Sequence, residues 1–173
     1  MPIFLRLEDV LEHASTTFTT RTTVTHVVNG SYVDVSYDDL NLKVRRLASR
    51  IQSQLPPGGL TKVPLTLEFS ISRNLHHVVV MLATLAAGAA YFPIALDTTA
   101  SQFHALLEQT GAAVIVSSSQ ELERLNGLGA ARSLAIIDAS KELHEENVSL
   151  SKNSSLTGKE PAYVLFSSGT SGT

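Results

Sequence analysis

The residues best suited to chemistry form one run, Phe166-Ser-Ser-Gly-Thr-Ser-Gly-Thr173. A loop of hydroxyl residues and glycines can turn several backbone N–H groups and side-chain donors toward one anion. Glycine has no Cβ to keep the backbone away from a phosphate, and hydroxyls add hydrogen bonds to phosphate oxygens. The run therefore predicts a phosphate-binding loop, whose candidate ligand residues are Ser167, Ser168, Gly169, Thr170, Ser171, Gly172 and Thr173.

Neither of two familiar phosphate-binding patterns matches this run. A Walker A loop needs Gly-Lys-Ser/Thr, and a dinucleotide fingerprint needs Gly-x-Gly-x-x-Gly; the run contains neither. Residues rich in Ser, Thr and Gly at a chain end are also typical of a flexible tail. Taken alone, these residues favour the flexible tail over the phosphate loop; their context in the rest of the chain reverses this.

Strands and helices alternate in the part of the chain that would position the loop. The apolar run 162–166 stands directly before it and predicts a buried strand. Strands are also predicted at 63–69, 91–94, 113–116 and 134–137, and helices at 73–87, 103–110 and 121–128. This alternation predicts an α/β fold with a mainly parallel sheet flanked by helices. The polar residues 139–160 predict an exposed connector.

The first third of the chain has strong local signals. Asn29-Gly30 lies between the β-rich runs 24–28 and 32–35, which predicts a hairpin with a type I′ turn. Ser36-Tyr-Asp-Asp39 resembles a capping box that begins a helix. That helix carries one apolar face, formed by Leu40, Val44, Leu47, Ile51 and Leu55. Apolar residues at helical spacing also predict a short amphipathic helix over 5–14.

Composition excludes several classes of function. A net charge of −3 gives no positive field that would attract nucleic acid, so we expect no nucleic-acid partner. The chain has no cysteine, which excludes disulfides and thiolate zinc sites and fits a cytoplasmic location. His76 and His77 are neighbours on a predicted helix, so their side chains point about 100° apart and cannot ligate one metal in the i,i+4 manner. We expect no metal site in this chain.

The run His76–Leu96 contains no charged residue if its histidines are neutral, and its length makes it a candidate membrane span. Gly88 and Pro93 interrupt it, however, and Tyr91-Phe-Pro-Ile94 has the pattern of a separate strand. A buried helix followed by a buried strand is the better interpretation, and we expect no membrane partner.

Three segments of the chain resemble motifs of one family, and they occur along the chain in the same order as in that family. Tyr163-Val-Leu-Phe-Ser-Ser-Gly-Thr-Ser-Gly172 resembles the phosphate-loop motif of the adenylate-forming (AMP-binding) superfamily. Val35-Ser-Tyr-Asp-Asp-Leu40 resembles the start of its first core motif, and Met81–Ile94, which includes Ala-Gly-Ala-Ala-Tyr-Phe-Pro-Ile, resembles the second. The Ala-Tyr-x-Pro form is similar to the adenylation domains of nonribosomal peptide synthetases more than to acyl-CoA ligases.

This resemblance implies a fold, a reaction and partners. Residues 1–173 would be a partial adenylation domain, the incomplete N-terminal subdomain of the adenylate-forming fold, ending within the phosphate-binding loop. The full enzyme would use ATP and Mg²⁺ to convert a small amino, aryl or acyl acid into its adenylate. It would then pass the acyl group to the phosphopantetheine thiol of a carrier domain. Residues 167–173 would hold the β- and γ-phosphates, and the remainder of the adenylation domain would supply the catalytic residues.

The chain also departs from the family pattern. Ala95 stands where an Asp is usual, Thr99 and Gln102 where Pro and Arg are usual, and Ala86 where a Lys is usual. The usual Pro-Lys-Gly does not follow Thr173, so we expect this chain alone to form no adenylate. One alternative is a truncated product without catalysis that acts at most as a docking module. A self-contained nucleotide-binding module is a further alternative, disfavoured because no acidic ribose-binding residue follows the loop.

Overall fold

The computed structural model of the chain contains a four-stranded parallel sheet and a separate two-stranded hairpin. It describes residues 6–55, 65–68, 75–95, 97–119, 121–128, 134–142 and 159–165, with only the backbone for 65–68 and 142. The helices are α1 Leu7–Thr17, α2 Tyr37–Gln54, α3 Leu75–Ala86, α4 Ala100–Thr110, α5 Leu122–Gly127 and α6 Ala139–Glu142. The strands are β1 Thr22–Val28, β2 Ser31–Ser36, β3 Leu65–Glu68, β4 Ala90–Pro93, β5 Val114–Ser117 and β6 Ala135–Asp138.

The four-stranded sheet has the order β4-β3-β5-β6, and each described pairing in it is parallel. Its last residues are level with one another, because Glu68 pairs with Pro93 and with Val116, while Ser117 pairs with Asp138. The carboxyl ends of all four strands therefore share one edge of the sheet, which is where open α/β sheets bind their ligands. The predicted α/β class with a mainly parallel sheet is confirmed.

Helices cover both faces of this sheet, and strand β5 shows the division most clearly. Val114 and Val116 belong to one core cluster with residues of α2 and α3, whereas Ile115 belongs to another with Phe103 of α4. All three residues have 0% exposure, because successive side chains of a strand point to opposite faces and both faces are covered. The molecule thus has a helix–sheet–helix layering around β5.

The hairpin and the helix after it form as the local patterns predict. Asn29 and Gly30 have φ of 50° and 79°, as a type I′ turn requires. Ser36 is the N-cap of α2, and its Oγ accepts the backbone N–H of Asp39 at 3.1 Å. The same hydroxyl donates to the Asp39 carboxylate at 2.8 Å, so the acid bonds the capping side chain. On the inner face of α2, the buried residues include Leu40, Val44, Leu47 and Ile51.

Glycines with positive φ end two of the predicted helices. Gly111 follows α4 with φ of 63°, and its N–H donates to the carbonyl of Leu107 at 2.9 Å. Gly88 lies just past α3 with φ of 83°. Left-handed backbone is costly for residues with a Cβ, which is why glycine stands at these ends. α4 also begins with a full capping box between Thr99 and Gln102, at the positions where the family usually has Pro and Arg.

Some predicted features fall on residues outside the described part. These include the two ends of the strand predicted at 63–69, of which the structure describes 65–68. The predicted connector 139–160 begins with α6, whose first residue, Ala139, is buried with 3% exposure. Residues 143–158 are not described.

Candidate functional site

The predicted phosphate loop, residues 167–173, lies outside the described residues, as does Phe166. The structure does describe residues 159–165, which lead into it. We refer to these seven residues as the lead-in segment. Its position decides where the candidate loop begins, so the geometry of the site is built from it.

The lead-in segment pairs with β4 through Tyr91. The N–H of Tyr91 donates to the carbonyl of Ala162 at 3.1 Å, and the N–H of Val164 donates to the carbonyl of Tyr91 at 3.0 Å. Tyr91 and Tyr163 form a parallel bridge, so Leu165 is level with Pro93, the last residue of β4. The segment thus runs in the direction of the other strands, and its carboxyl end reaches the same edge of the sheet.

Side chains of the lead-in segment contact the sheet on two faces. The rings of Tyr163 and Tyr91 lie 5.9 Å apart between centroids, tilted by 42°. Val164 points to the other face and packs against the core cluster that contains Phe92 and Phe103. The prediction of a buried strand is wrong for this segment, because Tyr163 is 55% exposed and Leu165 is 63% exposed. In the described residues the segment pairs on one side only, with β4.

Arg6, at the start of α1, forms ion pairs with acidic side chains, and the charge of Glu160 in the lead-in segment also acts on it. Arg6 Nε lies 3.2 Å from Glu8 Oε1, and Arg6 Nη2 lies 3.3 Å from Asp9 Oδ1. Burial acts to lower the pKa of Arg6, but the Asp9 hydrogen bond and the charges of Glu8, Asp9 and Glu160 raise it overall. Burial raises the pKa of Glu8, opposed by its backbone hydrogen bond and by Arg6, while Asp9 and Glu160 raise it further. Glu160 therefore acts on the same charge cluster from the far end of the sequence.

A second polar cluster lies at the carboxyl ends of β5 and β6. Asp138 Oδ2 accepts the hydroxyl of Ser119 at 2.6 Å, and Oδ1 accepts the hydroxyl and the N–H of Ser140 at 2.7 and 3.0 Å. Lys141 Nζ lies 3.7 Å from Asp138 Oδ2, with 73% of the lysine side chain exposed. Burial acts to raise the pKa of Asp138, but these hydrogen bonds and the lysine charge outweigh it and lower the pKa. We call these four residues the Asp138 cluster.

The sequence patterns did not single out the Asp138 cluster, although a signal for it existed. Ser119 and Asp138 each follow a predicted strand closely, and the carboxyl ends of neighbouring parallel strands meet at one edge. β3 and β4 separate β5 from the lead-in segment in the sheet order. The cluster therefore ties the turn after β5 to the start of α6 and lies apart from the candidate loop.

An apolar groove lies between the hairpin and the start of α3, with a volume of about 400 Å³. Its lining residues are Val24, Thr25, His26, Val27, Leu75, His77 and Val78. No described residue of the lead-in segment or of the parallel sheet lines this groove. We assign it no role in binding phosphate.

Two other expectations concern metals and membranes. Within the described ranges, no group of three or more His, Cys, Asp or Glu side chains is placed to hold a metal ion. Over the same ranges, no helix has both the length and the apolar character needed to cross a bilayer. The apolar run from 76 onward forms α3 and then β4, as the alternative to a membrane span predicted.

Comparison with known protein families gives a match over most of the chain. The model of the family described as AMP-binding enzyme matches residues 11–173. Malpibaldin synthetase of Mortierella alpina is 32% identical over 139 residues, which are 80% of this chain and 2% of that protein. Gramicidin S synthase 2 of Brevibacillus brevis is 28% identical over 139 residues, 80% of this chain and 3% of that protein. The chain thus spans only a few per cent of the length of these relatives.

Solved structures share the fold. The nonribosomal peptide synthetase FmoA3 in its AMPPNP-bound form matches with a TM-score of 0.75 and 19% identity, over 97% of this chain and 17% of that one. McyG A-PCP complexed with phenylalanyl-adenylate matches with a TM-score of 0.74 and 18% identity, over 96% of this chain and 27% of that one. The chain therefore belongs to the family of AMP-binding enzymes, as the N-terminal part of an adenylation domain of the nonribosomal peptide synthetase type.

Proposed function

We propose that this chain is the phosphate-binding portion of an ATP-dependent ligase, one that activates an amino, aryl or acyl acid as its adenylate. Family membership supports the reaction class. The observation that carries the site assignment is the pairing of the lead-in segment with Tyr91. It brings Leu165, two residues before the Ser/Thr/Gly run, to the carboxyl edge of a parallel sheet, where α/β folds bind ligands.

In this proposal, residues Ser167–Thr173 bind the β- and γ-phosphates of ATP. A carboxylate oxygen of the acid attacks the α-phosphorus and forms a new oxygen–phosphorus bond. The bond from the α-phosphorus to the oxygen that bridges to the β-phosphorus breaks, and pyrophosphate leaves with the electron pair. The loop contributes by holding the leaving group in line and by stabilising its charge with hydroxyl and N–H donors.

Magnesium, which the family resemblance implies, finds no ligand set among the described residues. The neighbouring carboxylates Glu8 and Asp9 are engaged with Arg6, and no group of three or more possible ligand side chains occurs in the described ranges. We therefore assign magnesium no step here; the family resemblance implies that its ligands lie in the remainder of the adenylation domain.

We also propose that the adenylate is consumed by a thiol, in natural-product biosynthesis of the peptide synthetase kind. The thiol sulfur would attack the acyl carbon, and AMP would leave to give a thioester on a phosphopantetheinyl carrier domain. The similar structure is that of McyG A-PCP, which supports a carrier as partner. The absence of cysteine from the chain supports a cytoplasmic location for this chemistry.

The 173-residue chain by itself is expected to form no adenylate. It offers one candidate phosphate loop, and ordering such a loop around triphosphate costs about 1–2 kcal/mol per residue. Charge-assisted hydrogen bonds of roughly 1.5–3 kcal/mol each offset this only when the loop is already held in place. The remainder of the adenylation domain would have to supply that support.

An ATP–pyrophosphate exchange assay over a panel of carboxylic acids tests the proposal. It is run on the 173-residue chain and on a protein extended through the region that follows in the relatives. We expect acid-dependent exchange only from the extended protein, and its loss when Thr170 and Ser171 are both changed to alanine. Ser118→Ala, which removes a hydroxyl at the end of β5, is the matched control and should leave exchange intact.

Three results would count against parts of the proposal. Exchange by the short chain would contradict the need for the remainder of the domain. An extended protein that activates no acid, yet binds a partner chain through this region, would favour the inactive docking module instead. Unchanged exchange in the Thr170→Ala/Ser171→Ala variant would remove these two hydroxyls from the phosphate site.

A further inference from the structure

The lead-in segment is attached to the sheet by a short pairing. Both backbone hydrogen bonds that the structure describes between it and β4 use the N–H and carbonyl of one residue, Tyr91. The bridge pairs Tyr91 with Tyr163. A pairing of this length holds the segment beside the sheet. Its backbone hydrogen bonds, however, could form equally well with a different residue of the segment opposite Tyr91.

If the lead-in segment shifted by two residues along β4, Tyr91 could still donate one backbone hydrogen bond to the segment and accept another from it. Because strand side chains alternate, a two-residue shift keeps the same set of side chains on each face, whereas a one-residue shift exchanges the faces. Such a shift moves the chain by about 6.6 Å along the sheet. The candidate phosphate loop begins only two residues after Leu165, so this displacement would carry it away from the edge where it is expected to bind.

Side chains distinguish the observed register from its neighbours. In the observed register the Tyr163 ring lies against the Tyr91 ring, with 5.9 Å between centroids. A shift by two residues would place Pro161 or Leu165 opposite Tyr91 instead, and neither is aromatic. Contact between two aromatic rings favours a pairing by about two- to tenfold beyond the area that it buries. The ring pair therefore favours one register where the backbone does not.

We propose that Tyr163 is a positioning residue, which sets the register of the lead-in segment on β4 through its ring contact with Tyr91. Its consequence for ATP rests on the proposed function, since it matters only if residues 167–173 bind phosphate. The register itself does not depend on that assignment. Tyr163 touches no reacting group in this account; it decides where the loop begins.

Paired cysteines can report the register, because the chain has no cysteine of its own. Ala90 and Ala162 stand level in the observed register, so Ala90→Cys/Ala162→Cys is the native reporter. Ala90→Cys/Val164→Cys reports a shift by two residues. A disulfide needs Cα atoms within about 7 Å, so each pair crosslinks only in its own register. The rates of crosslinking under mild oxidation, measured by mass spectrometry on the 173-residue chain, give the ratio of the two registers.

We expect Tyr163→Ala to lower the ratio of native to shifted crosslinking by about two- to tenfold. Tyr163→Phe keeps the ring and should restore the ratio, whereas Tyr163→Leu keeps apolar volume without the ring and should not. Leu165→Ala is the matched control, because Leu165 is similarly exposed, at 63% against 55%. Circular dichroism shows that each variant remains folded while the ratio is measured.

An unchanged ratio in folded Tyr163→Ala, or an equal fall in Leu165→Ala, would overturn the proposal. So would a Tyr163→Leu variant that keeps the native ratio. The same variants can be made in the extended adenylation domain. There, a raised KM for ATP with little change in kcat would show that the register also affects ATP use. A lowered ratio with an unchanged KM would leave the positioning role intact and count against the phosphate role of the loop.

Discussion

Replacing Asp138 with asparagine tests how the carboxyl edge of β5 and β6 is held together. Asp138 is the acceptor of three hydrogen bonds from Ser119 and Ser140, at 2.6 to 3.0 Å, and its side chain is 9% exposed. Hydrogen bonds to a charged group are worth about 1.5–3 kcal/mol, against about 0.5–1.5 for neutral ones. Asparagine keeps the shape and loses the charge. Because Ser119 is exposed and water can replace its bond, we expect a loss of about 1–2 kcal/mol.

The pH dependence makes this prediction specific. The folded state lowers the pKa of Asp138, so its contribution is present above the unfolded value of about 3.9 and is lost as pH falls through the folded value. Asp138→Asn should thus be less stable than the native chain by a constant amount between about pH 5 and 8. That difference should shrink as pH falls below about 4, because the unfolded chain takes up its proton first, and it should vanish below the folded value, where the native carboxylate is also protonated.

Urea unfolding followed by circular dichroism at pH 7 and at pH 3 measures both quantities, and the pH 7 loss corresponds to a melting temperature lower by about 2–8 °C. Asp34→Asn is the matched control: it removes an exposed carboxylate that accepts one hydroxyl bond, from Thr25 at 2.6 Å, and should cost less than about 0.5 kcal/mol. Equal midpoints for Asp138→Asn and the native chain at pH 7 would refute the reasoning. A difference that persists unchanged at pH 3 would show that the side-chain shape matters and the charge does not.

Three further changes test the core, a helix end and the charge cluster on α1. Leu47→Ala, at a position with 0% exposure on α2, should lower the free energy of unfolding by about 2–5 kcal/mol in urea titration, and a loss below about 1 would contradict its place in the core. Gly111→Ala should lower the free energy of unfolding by about 1–2 kcal/mol, because the φ of 63° is strained for a residue with a Cβ. An added Cβ meets nothing within 4 Å, so backbone strain alone accounts for the loss. An unchanged midpoint of unfolding would argue against the left-handed end of α4. The raised pKa of Glu8 means that its contribution is greatest at low pH and falls as pH rises through the folded value, so Glu8→Gln should flatten stability between about pH 4 and 7. A pH profile identical to the native one would exclude Glu8 from this effect.

The charge cluster around Arg6 also bears on the candidate site. Glu160 belongs to the lead-in segment, and its charge acts on Arg6 and Glu8 of the α1 region. The segment that carries the candidate loop is therefore influenced at its start by α1 and is bonded at its middle by Tyr91. Ion pairs of partly exposed groups are worth only about 0–1 kcal/mol, so the backbone and ring contacts of Tyr91 hold the segment more strongly.

Local sequence patterns predicted the individual elements well. Neighbouring residues decide a turn, a cap or a helix end, so Asn29-Gly30, Ser36 and Gly111 could be interpreted without knowledge of the rest of the chain. The periodicity of α2 likewise identified the residues that the structure buries on one face. The identity of the candidate loop followed from its motif and from resemblance to one family; the loop itself lies outside the described residues.

The arrangement of the strands in the sheet could be learned only from the tertiary structure. Hydrophobic periodicity indicates which face of a strand is covered, but not which strand lies beside it. The order β4-β3-β5-β6 differs from chain order for this reason. The apolar run before the candidate loop predicted burial, yet Tyr163 and Leu165 are exposed, and among the described residues the segment pairs with β4 alone. The contact between Tyr91 and Tyr163 and the hydrogen bond from Ser119 to Asp138 join residues far apart in sequence. Only the packing of parallel strands, whose carboxyl ends share an edge, brings those residues together.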